Sequence, residues 1–208
     1  MNASEWPAPI VRRLARHALL ALCAPLALAV AQSPVPQRGA LPEQSLYRLA
    51  SRWTNYDGRS IALADLRGQP VVVAMVYTSC TMTCPMITRE MQAVQRDLPP
   101  EVRARVRFVL ASFDPARDSV GALRQHAEKM GLDDRWLVVR ASPSDTRQLA
   151  VLLGVSYRQL PSGDFDHSNI ISVLDAGGVL QYQSPRVPAD RPRLVRSVLE
   201  TAQARTQK

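Results

Sequence analysis

The sequence predicts an α/β fold in which a central mixed β-sheet is flanked by helices. Three observations carry this. Val71–Tyr77 is an unbroken apolar run, as expected of a strand buried on both faces. From there to Gly154, strand and helix signals alternate. The chain then closes with a hairpin and a basic helix, which makes the sheet mixed rather than parallel throughout.

Tyr47–Leu49 reads as a short strand. Trp53–Arg59 carries an Asp57-Gly58 turn, and Ser60–Leu63 is the returning strand of a hairpin. After Val71–Tyr77 comes Thr78-Ser79-Cys80-Thr81-Met82-Thr83-Cys84-Pro85 and then a helix. Pro85 fits its first turn, where a missing N–H costs nothing. Met86, Ile87, Met91 and Val94 form its apolar stripe, which places Met86 in the core, and Pro99-Pro100 stops it. Val106–Phe113 is a second buried strand, and Ser119–Met130 a helix capped by Gly131. Trp136–Val139 is a third strand. Ser142 caps the next helix, with Pro143 at its first position, and Gly154 marks its end. Ile170–Leu174 and Val179–Tyr182 flank the turn Asp175-Ala176-Gly177-Gly178, and a helix over Pro188–Gln203 follows.

Ahead of the domain, residues 1–31 have the grammar of a signal peptide: Arg12, Arg13 and Arg16, the apolar run Ala18–Val30, and Ala29-Val30-Ala31 as a small-x-small cleavage site. The run falls short of the roughly 18 residues of a full span. An uncleaved anchor, stretched to include Leu14 and Ala15, is the alternative. Cys23 sits in a poor lipoprotein box because Leu22 is too large. Residues 32–42, with two prolines and a glycine in Ser33–Leu41, read as a flexible linker, and residues 43–208 as one folded domain. The expected location is the periplasm or the outer face of a bacterial inner membrane, with membrane attachment through the N-terminus as an option.

The 208 residues are 46% hydrophobic, enough for a core, and carry a net charge of +8. The Lys and Arg are scattered, without a basic stripe interleaved with aromatics, which argues against a nucleic-acid partner. Removing the leader takes Cys23 with it and leaves Cys80 and Cys84 in an oxidising compartment. Two cysteines are not a disulfide framework.

Spaced by four at a strand-to-helix junction, Cys80 and Cys84 share a helix face beside unpaired N–H groups, which favours a thiolate. A thiolate is both nucleophile and metal ligand, so a metal site, a redox dithiol and an inert pair all stay open. A structural zinc site needs four ligands, and His126 lies mid-helix among polar neighbours without a partner at ligand spacing. Two thiolates and an imidazole suit copper better. His167 lies in the polar stretch Gly163–Asn169, read as a loop, where it is either an incidental exposed residue or a ligand oriented by Asp164 or Asp166.

Three segments together resemble the Sco/SenC family of copper proteins: Tyr77–Pro85 with its Cys-x3-Cys-Pro motif, Ser112–Asp118 with Asp-Pro-x-Arg-Asp, and Asp166-His167-Ser168. The likeness runs from Trp53 onward. It implies a thioredoxin-like fold with an added N-terminal β-hairpin. It also implies one copper, Cu(I) or Cu(II), held by Cys80, Cys84 and His167 in a metallochaperone; a monomer is the separate expectation. The implied delivery of copper, or of reducing equivalents, is to the copper-centre subunit of cytochrome c oxidase or another periplasmic acceptor. The alternative is a thiol–disulfide oxidoreductase using Cys80 and Cys84. Thr81-Met82-Thr83 departs from the Pro-Asp-x common between the cysteines, and Phe165 stands where Val is common. Met82, whose thioether suits copper exchange, is left open between the mouth of the site and packing. Asp114 reads as a positioner of the cysteine loop or as a plain turn residue. Tyr77 reads as the end of its strand.

Overall fold

The computed structural model describes residues 40–204. The leader over 1–31, with Cys23 and the cleavage site, lies outside them, as does the linker up to residue 39. Among the described residues no helix is long and apolar enough to cross a membrane.

One seven-stranded sheet organises the domain, in the order β2 (Ser60–Ala62), β1 (Arg52–Asn55), β5 (Trp136–Arg140), β4 (Arg107–Ser112), β3 (Val71–Val76), β8 (Ile171–Leu174) and β9 (Leu180–Ser184). β3, β4 and β5 run parallel, and β8 runs antiparallel to β3. Every residue of β3 is buried, as its apolar run requires of a central strand. β1 and β2 pair antiparallel through the Asp57-Gly58 turn, and β1 also pairs with β5.

The helices α1 (Thr83–Asp97), α3 (Val120–Lys129), α4 (Pro143–Leu152) and α5 (Arg191–Gln203) fall close to the expected places, while α2 (Pro100–Arg103), a single turn begun by Pro100, was not expected. Ser119 and Ser142 cap α3 and α4 by accepting from Ala122 N–H and Asp145 N–H. In α1 the buried stripe is Cys84, Ile87, Met91 and Val94. Cys84 takes the first place on that stripe. Met86 stands one residue off it and is 43% exposed, which overturns its expected core position. The indole of Trp136 stacks on Phe108 and donates to Gln95 Oε1 at 2.8 Å, locking α1 to β5.

Two short elements differ from expectation. Tyr47–Leu49 is not a strand: Leu46–Arg48 forms a 3-10 turn whose Ser45 cap accepts from Tyr47 N–H. This turn sits over the β8–β9 connection, with Leu46 N–H donating to Gly178 O at 2.9 Å. His167 is not in a loop either. It ends β7 (Phe165–His167), which pairs with β6 (Tyr157–Gln159) in a separate two-stranded ladder.

The sheet order positions the site. Because β3 and β4 are parallel neighbours, with Val76 opposite Ser112, the segments after them emerge side by side. Because β8 is antiparallel to β3, with Ile171 opposite Ala74, the segment before β8 arrives at that same edge. Cys80, Asp118 and His167 thus meet at the carboxyl ends of the parallel strands, where α/β sheets commonly place binding sites.

Two glycines give opposite expectations. Gly178 has φ +80, and an added Cβ would lie 2.6 Å from the Tyr47 ring, so Gly178→Ala is expected to destabilise the fold by about 2 kcal/mol. Gly121 is helical, with only Ser119 Oγ near such a Cβ, at 3.7 Å. Gly121→Ala is expected to stabilise by roughly 0.5 kcal/mol. Urea denaturation of the two variants, compared with the wild type, reads both signs.

Candidate metal centre

Two cysteines and one histidine converge. One ligand atom each from Cys80, Cys84 and His167 lies within 4.8 Å of the other two. Donors bound at about 2.0–2.3 Å to a single ion stand roughly 4 Å apart, so a small closure seats a metal among them. Both cysteines are free thiols, Cys80 half-buried and Cys84 fully buried.

The chain's turn into α1 treats the two sulfurs differently. Cys80 Sγ receives the Cys84 thiol, the Cys84 N–H at 3.4 Å, the Thr83 hydroxyl at 3.5 Å and the Met82 N–H. These donors hold the Cys80 thiol far below its ordinary pKa, against the opposing effect of burial. The Cys84 thiol moves the other way, because it donates to Cys80 and is buried. The hydrogen bonding thus favours charge on Cys80 and the neutral thiol on Cys84.

His167 is set by its neighbours in β7 and by an aromatic wall. Its Nδ1 lies 3.2 Å from the Ser168 carbonyl oxygen, an acceptor only, so Nδ1 donates there and Nε2 is the nitrogen turned away from the backbone. Nε2 lies 3.4 Å from Thr83 Oγ1, on the cysteine side. The ring packs against Phe113, centroids 4.9 Å apart, and edge-on to Tyr77 at 6.0 Å. Tyr77, the residue just after β3, is therefore a wall of the histidine site. Phe165 packs against both Tyr77 and Phe113, and the Arg117 guanidinium lies 5.5 Å above its ring.

Several expectations need correction. Asp164 and Asp166 do not orient the imidazole: Asp166 faces Arg158, Asp164 contacts Ser162, and the backbone of Ser168 does the orienting. Asp114 pairs with Arg117 and does not reach the cysteine loop. Asp118 does. Fully buried, its carboxylate accepts from Thr78 N–H at 3.2 Å, Thr78 Oγ1 at 2.6 Å and Ser112 Oγ at 2.6 Å. The Asp-Pro-x-Arg-Asp segment held the signal, but its second acid is the one that matters. Met82 is 75% exposed at the entry to α1. His126 is buried on α3 and lines a cleft that Cys80 also lines.

Asp118→Ala leaves two part-buried donors of Thr78 and the buried Ser112 hydroxyl unpaired and is expected to cost about 3 kcal/mol of stability, read by urea denaturation. The split between the thiols predicts selective alkylation. At pH 6, where an ordinary thiol near 8.5 is mostly protonated, iodoacetamide should modify Cys80 quickly and spare Cys84. Peptide mass mapping of the reduced protein checks this, and equal labelling of both would contradict the assignment.

Relatives carry the same architecture. The SCO1 protein homolog of Bacillus subtilis is 28% identical over 112 residues, which are 53% of this chain and 58% of that protein. The chain spans about half the length of the curated relatives it matches. A SCO1/SenC family lipoprotein of Bacillus anthracis superposes with a TM-score of 0.66 at 22% identity, over 73% of this chain and 92% of that one. ScoI of Arabidopsis thaliana, solved with copper bound, gives 0.64 at 18% identity, over 74% and 96%. ScoI of Bradyrhizobium japonicum, also with copper bound, gives 0.63 at 19%, over 73% and 96%. These likenesses show the thioredoxin-like fold. The family model described as SCO1/SenC matches residues 42–201, nearly all of the folded domain, and the chain belongs to that family.

Proposed function

We propose that this protein is a copper carrier that holds one ion through Cys80, Cys84 and His167 and passes it to a copper-centre subunit of cytochrome c oxidase or a similar extracytoplasmic acceptor. The observation that carries the reading is the convergence of these three donors. Two sulfurs and one imidazole form a soft set that selects copper over magnesium or calcium. Membership of the SCO1/SenC family and the copper bound in related structures support the choice of ion. The predicted leader supports export.

The residues divide the work. Cys80, the favoured thiolate and half-exposed, makes the first bond to the arriving ion. Cys84 adds the second sulfur after giving its proton to solvent. His167 adds Nε2, its ring held against Phe113 and Tyr77. Since binding releases the Cys84 proton, affinity falls as pH falls.

The split between the thiols also favours a second reading, thiol–disulfide exchange. The Cys80 thiolate would attack a partner disulfide, forming a mixed disulfide and releasing one partner thiolate. Cys84, after losing its proton, would attack Cys80 Sγ and release the second partner thiol. The partner disulfide is then reduced and Cys80–Cys84 oxidised.

Anaerobic copper titration of the reduced protein separates the two. One copper per chain is expected, with Cys80→Ser, Cys84→Ser and His167→Ala each weakening binding at least a hundredfold. A wild type that takes up no stoichiometric copper, or a His167→Ala variant that holds it as tightly, would overturn the carrier reading. Retention of disulfide exchange by His167→Ala would then favour the oxidoreductase.

A further inference from the structure

Cys84 is fully buried, whereas Cys80 and His167 are both part-exposed, and of these two only Cys80 also lines a second cleft. An ion held at Cys80 but not yet at Cys84 takes its further donors from whatever side chains lie beside Cys80. The structure offers such donors in this cleft of about 190 Å³, which opens beside Cys80. Cys80, His126 and Met130 are among its lining residues, and neither Cys84 nor His167 is.

His126 is the unusual member. It is 7% exposed, and its Nε2 is buried without a hydrogen-bond partner. Buried polar atoms are almost always paired, because losing water without a replacement is costly. Burial and the neighbouring Lys129 lower its pKa, and the negative Asp118 and Cys80 offset this only in part. The imidazole is therefore neutral near pH 7, the form that ligates a metal. Met130 follows His126 by one helical turn at the end of α3, on the same face. Thiolate, imidazole and thioether are all donor types suited to Cu(I).

We infer that this cleft is a staging site for Cu(I), in which Cys80 Sγ and His126 Nε2 hold the ion in transit, with Met130 as a third donor. The inference rests on the copper-carrier reading above. Copper stays Cu(I) throughout. The bond to Cys80 is kept, the bonds to His126 and Met130 break as those to Cys84 and His167 form, and the Cys84 proton leaves to solvent. Coordination by His167 Nε2 completes the resident set. Release runs the same exchange backwards, so a partner's ligand replaces Cys84 and His167 while Cys80 and His126 keep the ion bound.

Stopped-flow loading from a Cu(I)–bicinchoninate complex tests this in the reduced protein. His126→Ala and His126→Gln are expected to load at least tenfold more slowly. Their final copper occupancy should stay within threefold of wild type, and circular dichroism should show both folded. Unchanged rates would overturn the inference. So would an occupancy as low as that of His167→Ala, since His126 would then be a resident ligand. A wild type that takes no Cu(I) fails the carrier reading and takes this inference with it. A second measurement keeps the native His126: in a Cys84→Ser/His167→Ala double variant, Cu(I) should shift the ¹⁵N resonance of His126 Nε2. Silence at that nitrogen would overturn the staging site.

Discussion

The cysteine loop hangs from a single carboxylate. Asp118, reached after β4, accepts from both the backbone and the hydroxyl of Thr78, just after β3. Its third partner, Ser112, is the last residue of β4. The bonds tie two neighbouring strand ends together at the point where the chain turns towards Cys80. The carboxylate is fully buried, so each bond works in a medium where an unmade one is expensive. The placement of Cys80 relative to α1, and hence which sulfur receives the helix N–H groups, follows from this clamp.

From that placement comes the inequality of the two sulfurs. Cys80 lies where the N–H groups of Met82 and Cys84 point at it, while Cys84 sits one turn further on, on the stripe that α1 turns into the core. A charged sulfur in front of a neutral one is a useful state for a soft-metal carrier: one ligand is ready, and the other is shielded from reaction until it is needed. The same inequality serves disulfide exchange, which is why two chemistries remain compatible with one loop. The carrier reading proposed above leans on His167, whose Nδ1 bonds the Ser168 carbonyl and whose Nε2 faces Thr83 on the cysteine side.

Much of this was legible in the sequence. The buried central strands declared themselves by continuous apolar runs, the helices by Ser119 and Ser142 caps and by Gly131 and Gly154, and the donors by the Cys-x3-Cys-Pro spacing and the Asp-His pair. What was not legible depends on contacts between distant residues. Tyr47–Leu49 has strand composition, but Ser45 and the space above Gly178 turn it into a 3-10 turn. Phe165–His167 is too short and too polar to signal a strand, and forms one only because Tyr157–Gln159 lies alongside. Met86 looked apolar and in phase, yet the one-residue offset from Ile87 puts it in water. Asp118 stood only as the last residue of the Asp-Pro-x-Arg-Asp segment and His126 as a mid-helix residue, until the fold tied the first to Thr78 and set the second in a cleft that Cys80 also lines.

The β6–β7 ladder has its own consequence. It joins the rest of the domain as a separate pair of three-residue strands, whereas both cysteines belong to an element rooted in the central sheet. The donor set thus spans a rigid half and a half with little backbone stitching. Segments of the second kind open locally at a small fraction of the free energy of global unfolding. A ligand shared between the halves stabilises the closed arrangement in proportion to its saturation. Under the carrier reading proposed above, a bound ion ties this small hairpin to the cysteine loop through His167.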